Sequence, residues 1–262
     1  MKIRTETIKY LKNKRAVSCL TSYDALTAKI FDESGIDLIL VGDSASNTVL
    51  GKNSTLPATL DEMIIFGSAV ASSVQSSLVV IDMPFGSYEL SPKQALENSI
   101  QVMKETGADA VKLEGGENRV EAIKLLIENG IPVMGHIGFT PQSVNQMGGF
   151  KVQGRGDQAE KIKLEAKALE QAGVFSIVLE MVPRDLAKEI TAELSIPTIG
   201  IGAGNETDGQ ILVWQDFAGL SEKTPKFVKQ YAKLRATLTE ATEQFIKEVQ
   251  SREFPSSGNS FD

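Results

Sequence analysis

Short apolar runs recur along the chain, and a polar loop and a longer amphipathic stretch follow most of them. A continuous apolar run of roughly four to eight residues is typical of a strand buried on both faces, as in parallel sheets. Seven runs fit this pattern, and Ile211–Trp214 is a weaker eighth. The seven are Ala16–Leu20, Leu38–Val41, Leu78–Ile81, Ala110–Leu113, Pro132–Gly135, Ser176–Leu179 and Thr198–Ile201.

The amphipathic stretches between these runs are predicted helices. They are Ala25–Ser34, Leu60–Ser73, Pro92–Thr106, Val120–Asn129, Gln158–Ala172 and Arg184–Leu194. Ser91 and Pro92 are typical of a helix cap and a first helical residue. Four predicted helices are followed by a glycine, the residue that most readily adopts the left-handed backbone conformation with which many helices end. These glycines are Gly35, Gly107, Gly130 and Gly173.

The alternation of strand and helix predicts the fold class. Parallel strands need helical crossovers, and seven or eight βα units in 262 residues fit one closed (β/α)8 TIM barrel. A doubly wound open sheet is the alternative that the pattern leaves. We expect one domain over residues 1–262, in which Phe227–Val249 forms a long C-terminal helix and a short loose tail begins at Phe254.

Composition narrows the classes of partner. A hydrophobic fraction of 42% supports a sizeable core, and a net charge of -7 argues against a nucleic-acid partner. No apolar run reaches membrane-spanning length, and the N-terminus lacks the apolar core of a signal peptide. We therefore expect a cytoplasmic protein with neither nucleic acid nor membrane as a partner.

The chain has a single cysteine, Cys19, and a single histidine, His136. These counts exclude an intrachain disulfide, a structural zinc site made of four cysteine or histidine ligands, and a three-histidine metal site. A metal would therefore be held mainly by oxygen, which favours a hard cation such as Mg2+. Cys19 lies inside the first apolar run and is expected in the core.

Acidic residues close four of the predicted strands. In a barrel, the carboxyl ends of all strands meet at one mouth, where the chemistry is located. Lys112 and Glu114 are two residues apart on one strand, so both point to the same side. An acid after a strand is often only a helix cap or a turn residue, but four at one mouth weaken that interpretation. Four carboxylates would repel one another unless a cation neutralised them, so we predict a divalent cation beside Lys112. The acids are Asp43, Asp82, Glu114 and Glu180.

Several residues keep more than one interpretation. Lys112 could be an electrostatic partner or a Schiff-base nucleophile, and its acidic neighbours favour the first role. His136 could be a hydrogen-bonded packing residue or a pocket residue. The GIGAG stretch, residues 200–204, lacks the spacing of a dinucleotide-binding motif and is interpreted as a tight loop near the ligand. The glycine-rich GGFKVQGRGD stretch, residues 148–157, predicts a mobile lid.

Several longer motifs carry a resemblance to a known family. The chain resembles the ketopantoate hydroxymethyltransferase family over roughly residues 17–230. The most specific motif is HIGFTPQSVN followed by KVQGRG. Other matching stretches are VGDS, DMPFGSY, VKLEGGE, VLEMVP and IPTIGIGAGNETDGQ.

The resemblance implies a fold, an activity and partners. The fold would be a (β/α)8 barrel of the phosphoenolpyruvate/pyruvate superfamily type. The reaction would transfer a hydroxymethyl group from 5,10-methylenetetrahydrofolate to 3-methyl-2-oxobutanoate and yield 2-dehydropantoate for pantothenate biosynthesis. The family uses Mg2+ and commonly assembles as a homo-oligomer of ten subunits, a homodecamer.

The resemblance also assigns residues. Asp43 and Asp82 would bind Mg2+ and the substrate chelated to it, and Glu114 would complete the metal site directly or through water. Ser44 and Lys112 would contact the substrate. Glu180 would be the catalytic proton acceptor and would form an enolate that Mg2+ stabilises. The intact acid set disfavours a non-catalytic binding barrel, whereas a Mg2+-dependent 2-oxo acid lyase or aldolase without folate remains the alternative enzyme.

Overall fold

A computed structural model describes residues 2–261 of the chain. Its strands are β1 (Val17–Thr21), β2 (Leu38–Val41), β3 (Leu78–Asp82), β4 (Ala110–Glu114), β5 (Val133–Gly138), β6 (Ser176–Glu180), β7 (Thr198–Ile201) and β8 (Gly209–Leu212). Its helices are α1 (Thr5–Leu11), α2 (Ala25–Glu33), α3 (Ala45–Thr48), α4 (Leu60–Ala71), α5 (Pro92–Thr106), α6 (Val120–Glu128), α7 (Val144–Met147), α8 (Gln158–Ala172), α9 (Arg184–Glu193), α10 (Trp214–Phe217) and α11 (Leu234–Ser251).

The eight strands form a closed parallel barrel in chain order, and β8 pairs with β1. The predicted (β/α)8 fold is confirmed, and the open-sheet alternative is wrong. Several strands run further than their apolar runs, because the polar residues at their ends continue the parallel pairing. Asp82 is paired with Lys112, and Gly138 is paired with Glu180. Strand β8 begins earlier than expected because Gly209 already pairs with Val17.

Two apolar layers hold the barrel together. One fills its interior with alternate side chains of the strands, among them Leu40, Val80, Met134 and Val178. The other lies between the strands and the surrounding helices. Helix α1, which the apolar pattern did not predict, adds Ile8 and Leu11 to the interior layer. The expectation that Cys19 is in the core is confirmed, since it lies in the same layer.

Helix ends follow the capping chemistry of the sequence. Helix α5 begins at Pro92 and is capped by Ser91, whose side chain accepts a hydrogen bond from the Gln94 amide at 3.1 Å. Its last residue, Thr106, is followed by Gly107, which has a φ of 72°. The other three predicted helix-end glycines also have positive φ, so all four predicted helix ends are confirmed. These sharp ends return the chain directly to the next strand.

The chain divides into two compact units, residues up to Val213 and residues from Trp214 onward. The first unit contains the whole barrel. In the second unit, the predicted start of the last helix at Phe227 is wrong. The amides of Tyr231 and Leu234 instead bond to the carbonyls of Phe217 and Ala218, at 2.8 and 2.9 Å. The single-domain boundary over residues 1–262 stays a prediction.

Within residues 2–261, no helix is both long enough and apolar enough to cross a lipid bilayer.

Candidate active site

One pocket in the barrel unit gathers every predicted site residue. It lies among residues at or just after the carboxyl ends of the strands, as the barrel geometry predicts. Its charged and polar lining includes Asp43, Ser44, Asp82, Lys112, Glu114, His136 and Glu180. The structure therefore brings together the six predicted site residues from four strands, and His136, whose role the sequence left open, lies with them. Their individual roles stay predictions.

Strand alternation explains why these side chains meet. Successive side chains of a strand point to opposite faces, so a residue two positions after an interior residue is also interior. Lys112 lies two positions after Ala110, and Glu180 lies two positions after Val178, both in the interior layer. The same alternation places Asp82 after Val80. Asp82, Glu114 and Glu180 are thus the last interior positions of their strands, where the barrel opens, whereas Asp43 lies just beyond the end of β2.

Lys112 is the positive centre of the pocket. Its Nζ lies 2.6 Å from Asp82 Oδ1 and 3.9 Å from Glu114 Oε1. Burial disfavours its charge, but Asp82, Glu114 and Asp43 together outweigh burial and raise the pKa of Lys112 well above its usual range. Its amine is therefore protonated at neutral pH. A Schiff-base nucleophile needs a neutral amine, so the geometry supports the electrostatic role.

The carboxyl groups around Lys112 would, if all were ionised, carry more negative charge than one lysine balances. Burial raises the pKa of Asp82 to about 8 and that of Glu114 to about 7, although Lys112 opposes both shifts. Burial and the charge of Glu114 also raise the pKa of Asp43. A bound cation would stabilise the ionised form of each acid. The electrostatics of the pocket therefore favour a positively charged ligand.

These residues fit a magnesium ion. Glu114 Oε1 is buried and has no hydrogen-bond partner, although Lys112 Nζ and His136 Nδ1 lie 3.9 and 3.4 Å from it, so this carboxylate oxygen can still accept a cation. Asp43 and Asp82 lie side by side, since the Asp43 amide is 3.3 Å from Asp82 Oδ2. Within residues 2–261, no three acid, histidine or cysteine side chains form a ready-made cage. Mg2+ commonly takes one or two carboxylates and completes its shell with water and substrate, so an open set of oxygens suits it.

His136 lies between two acids of the pocket. Its Nδ1 is 3.4 Å from Glu114 Oε1, and its Nε2 is 3.3 Å from Glu180 Oε2. Burial and the charge of Lys112 lower the pKa of His136, so the imidazole is neutral at pH 7. Burial raises the pKa of Glu180. Of the two roles that the sequence left open for His136, the structure supports that of a pocket residue.

The backbone around Glu180 is tightly held. The Glu180 carbonyl accepts a hydrogen bond from the Phe139 amide at 2.8 Å, and the next residue, Met181, has a φ of 48°. Gly138 has a φ of 91°, and a Cβ there would collide with the Glu180 carbonyl oxygen. The strand end therefore presents the Glu180 side chain from a fixed backbone position.

Sequence reasoning missed three polar residues that support the site. The Tyr23 hydroxyl bonds to Ser44 Oγ at 2.7 Å, and the Gln142 side chain donates to Asp43 at 3.0 Å. Tyr88 in turn bonds to Gln142. Tyr88 and Gln142 lie inside the motifs DMPFGSY and HIGFTPQSVN, which was the only available signal, because no strand periodicity points to them.

Two loops near the site match their predicted character. In the GIGAG stretch, Gly202 and Gly204 have φ values of 64° and 84°, which suits a tight loop. Residues 148–156 form neither helix nor strand, and Lys151 and Arg155 are exposed. The Gln153 amide bonds to the Met181 carbonyl at 2.9 Å, next to Glu180. Motion of this segment as a lid stays a prediction.

Comparisons with known proteins give the chain relatives. A family model described as ketopantoate hydroxymethyltransferase matches residues 2–257. The 3-methyl-2-oxobutanoate hydroxymethyltransferase of Corynebacterium glutamicum is 55% identical over 262 residues, which cover 99% of this chain and 97% of that protein. The protein of the same name from Leifsonia xyli subsp. xyli is 57% identical over 243 residues, which cover 92% of this chain and 88% of that protein.

Solved structures confirm the type of barrel. A 2,3-dimethylmalate lyase, described as a member of the PEP mutase/isocitrate lyase superfamily, aligns with a TM-score of 0.62 and 15% identity. The alignment covers 100% of this chain and 93% of that chain. A phosphonopyruvate hydrolase structure aligns with a TM-score of 0.64 and 13% identity, over 99% of this chain and 92% of that chain. At such identities the likeness concerns the fold alone.

Proposed function

The chain belongs to the ketopantoate hydroxymethyltransferase family, and on this premise we propose that it is a 3-methyl-2-oxobutanoate hydroxymethyltransferase. It transfers a hydroxymethyl group from 5,10-methylenetetrahydrofolate to 3-methyl-2-oxobutanoate and yields 2-dehydropantoate for pantothenate biosynthesis. One observation carries the proposal within the structure: a single pocket at the ends of the barrel strands combines three buried acids, a buried lysine and a separate glutamate.

The acids and the lysine would bind the oxo acid together with Mg2+. Asp43 and Asp82 would hold the cation, and Glu114 would complete the set directly or through water. Bound Mg2+ supplies Lewis-acid polarisation of the keto group. The ammonium group of Lys112 faces the same space, and the Ser44 hydroxyl, held by Tyr23, lies at its edge. Both can contact the substrate.

Glu180 is the proposed proton acceptor. An ordinary glutamate, with a pKa near about 4.3, is a poor base for a C–H proton. Burial raises the pKa of Glu180 and makes it a stronger base, while neutral His136 contacts one of its oxygens. Glu180 takes the proton from C3 of the oxo acid, and the electron pair left on C3 attacks the methylene carbon of the folate. As the new C–C bond forms, one of the two bonds between the methylene carbon and a folate nitrogen breaks. Water then replaces the second nitrogen and supplies the hydroxyl oxygen, and the nitrogens take up protons as tetrahydrofolate leaves.

Magnitudes show that the base alone is insufficient. A positioned general base contributes about 10²–10⁴ to the rate, whereas enzymes usually reach at least about 10⁶. The remaining factor must come from orientation of the two substrates and from electrostatic stabilisation of the developing charge. The buried charges around Lys112 are suited to the second contribution.

The competing function is a Mg2+-dependent 2-oxo acid lyase or aldolase that does not use folate. Family membership over nearly the whole chain disfavours it. The decisive experiment measures consumption of 3-methyl-2-oxobutanoate by the purified protein. We expect turnover only when 5,10-methylenetetrahydrofolate and Mg2+ are both present. Equal consumption without folate would favour the lyase, and an unchanged rate in excess chelator would exclude the role of Mg2+.

The resemblance also supports a quaternary structure and a location. We expect a cytoplasmic homo-oligomer of ten subunits, each of 28.3 kDa. Light scattering after size-exclusion chromatography measures the mass of the assembly directly. A mass equal to that of one chain would contradict this part of the proposal and would leave the activity to be judged by the assay alone.

A further inference from the structure

Gln142 connects two acids of the pocket that belong to different strands. It lies in the loop after β5, in a short 3-10 turn over Pro141–Ser143, and its side chain is buried. Asp43 follows β2, and Glu114 ends β4. Gln142 therefore reaches back across the mouth of the barrel from a third strand. No residue of the proposed metal and base set provides this link.

Every polar group of Gln142 that faces the site is used. Its Nε2 donates to Asp43 Oδ2 and to the Met83 carbonyl, each at 3.0 Å. Its backbone amide donates to Glu114 Oε2 at 3.0 Å. Its Oε1 accepts a hydrogen bond from the Tyr88 hydroxyl. One residue thus fixes one oxygen on each of two acids.

The orientation of the Gln142 amide is dictated by its neighbours. The Met83 carbonyl can only accept a hydrogen bond, so the nitrogen end of the amide must face it and Asp43. The Tyr88 hydroxyl accepts from the Glu114 amide at 3.3 Å and is therefore free to donate to Gln142 Oε1. Reversal of the amide would place its oxygen against two acceptors, the Met83 carbonyl and Asp43, and would lose the hydrogen bond that Oε1 accepts from Tyr88. The hydrogen bond from Tyr88 consequently helps to fix the orientation of the Gln142 amide, and the amide fixes the position of the Asp43 carboxylate.

This arrangement opposes a repulsion between the acids. Asp43 and Glu114 carry like charges, and the charge of Glu114 raises the pKa of Asp43. Without fixed donors, the two carboxylates would turn away from each other. Gln142 holds Oδ2 of one and Oε2 of the other, and Glu114 Oε1 is left buried without a hydrogen-bond partner. That oxygen is the atom available to a cation or to a water bound to it.

We propose that Gln142, oriented by Tyr88, is a positioning residue that sets Asp43 and Glu114 for a divalent cation. The inference rests on the proposed function, because it concerns the same metal site. It assigns Gln142 no contact with the substrate. Removal of the hydrogen-bonding partner of a metal ligand typically lowers metal affinity or activity about 10–100-fold.

The test measures cation binding separately from catalysis. Gln142→Met keeps the length of the side chain and removes both ends of its amide, and with them the bond to Asp43, whereas the backbone amide that donates to Glu114 remains. Mn2+ alone, followed by electron paramagnetic resonance, reports the dissociation constant without substrate. We expect this constant to rise about 10–100-fold in Gln142→Met. In the activity assay the Mg2+ concentration for half-maximal rate should rise similarly, while kcat at saturating Mg2+ changes much less.

Thr191→Val is the matched control. Thr191 is also buried, and its hydroxyl bonds to Thr198 at 2.6 Å, where β7 begins, at the opposite end of the barrel. Its loss should lower stability and leave Mn2+ affinity unchanged. An unchanged dissociation constant in folded Gln142→Met, or an equal change in Thr191→Val, would overturn the inference. If Gln142→Met does not fold, Tyr88→Phe replaces it, and an unchanged constant there has the same meaning.

The two proposals fail in different ways. If the wild-type protein binds no Mn2+ and turns over no oxo acid, the proposed function itself is wrong. If the wild type binds Mn2+ and is active, but Gln142→Met binds Mn2+ equally well, only the positioning role is wrong.

Discussion

Glu180 differs from the other acids of the pocket in its neighbours. Asp82 and Glu114 contact Lys112, whereas Glu180 contacts neutral His136. Unlike Asp82 and Glu114, it has no ion pair with Lys112, and burial raises its pKa. These contacts are consistent with the proposed division between acids that bind the cation and a separate base.

Replacement of Glu180 by Gln should remove the base and keep the shape of the pocket. We expect kcat to fall about 10²–10⁴-fold with a small change in the KM of the oxo acid, as for loss of a general base. Glu165→Gln is the control, since Glu165 is a partly buried acid of α8 whose pKa is also raised by burial. Steady-state kinetics of both variants test the assignment. Equal kcat in Glu180→Gln and the wild type would contradict it.

Lys112 should resist covalent trapping. Because its neighbours hold it in the ammonium form, we expect no loss of activity when borohydride is added with 3-methyl-2-oxobutanoate. Mass spectrometry of the treated protein checks the outcome, and a reduced adduct on Lys112 would show that it acts as a nucleophile.

Some residues of the site can be predicted from the sequence, and others cannot. Lys112 and Glu114 could be placed at the mouth because a two-residue period fixes the side to which each points. Gln142 could not, because its contacts with Asp43 and Glu114 depend on the path of a loop that crosses from a third strand. Nothing in its spacing records that path. Alternation therefore predicts the charged groups, and only the folded loop reveals what orients them.

At the scale of elements, Asp32 joins the end of α2 to the start of β3. Its carboxylate accepts hydrogen bonds from the amides of Gln75, Ser76 and Ser77, at distances from 2.6 to 3.3 Å. Burial raises the pKa of Asp32, but these hydrogen bonds together outweigh burial and lower it. The ionised form is thus preferred in the folded chain.

This preference makes part of the stability depend on pH. A group whose folded pKa is lowered stabilises the protein above its unfolded pKa, about 3.9 for aspartate, and this contribution disappears as the pH falls through the folded pKa. We expect Asp32→Asn to lower the free energy of unfolding by about 2 kcal/mol at pH 7 and by less near pH 3. Urea denaturation at both pH values measures this. Glu33→Gln, an exposed change on α2, is the control and should show no such difference.

Gly138→Ala should disturb the strand end that presents Glu180. The substitution strains the backbone by about 1–3 kcal/mol because φ is 91°, and its Cβ collides with the Glu180 carbonyl. We expect a lower melting temperature and a lower kcat. Gly35→Ala is the matched control, since Gly35 has a φ of 84° and nothing lies within 4 Å of its added Cβ. It should lower stability alone, and an equal loss of kcat in both variants would contradict this view.

Most element positions could be predicted, and the errors have physical causes. The Pro92–Thr106 helix matches because a serine cap and a glycine end mark its limits. Several strand ends were placed too early because polar residues such as Asp82 interrupt the apolar run while the pairing continues. The start of the last helix was misplaced because tertiary bonds to Phe217 and Ala218 compete with helical ones.

At the scale of the whole molecule, substrate should restrict the glycine-rich segment of residues 148–157. Lys151 and Arg155 are exposed in it, and trypsin cleaves after such residues. We expect the oxo acid and Mg2+ to slow cleavage at both positions, because closure of the segment would protect them. Cleavage after Lys223, an exposed residue of the second unit, is the internal control. Equal rates with and without substrate would exclude the lid.

The circular order of the strands has a consequence for biosynthesis of the protein. β8 pairs with β1, so the ring is complete only when Gly209–Leu212 has joined Val17–Thr21. A polypeptide that left the ribosome before that segment would already contain all four acids and the lysine. It would nevertheless hold them on an unclosed sheet. Ribosomal stalling or premature termination in this region should therefore yield fragments without catalytic activity. Activity should appear in one step, after β8 has been synthesised and has paired with β1.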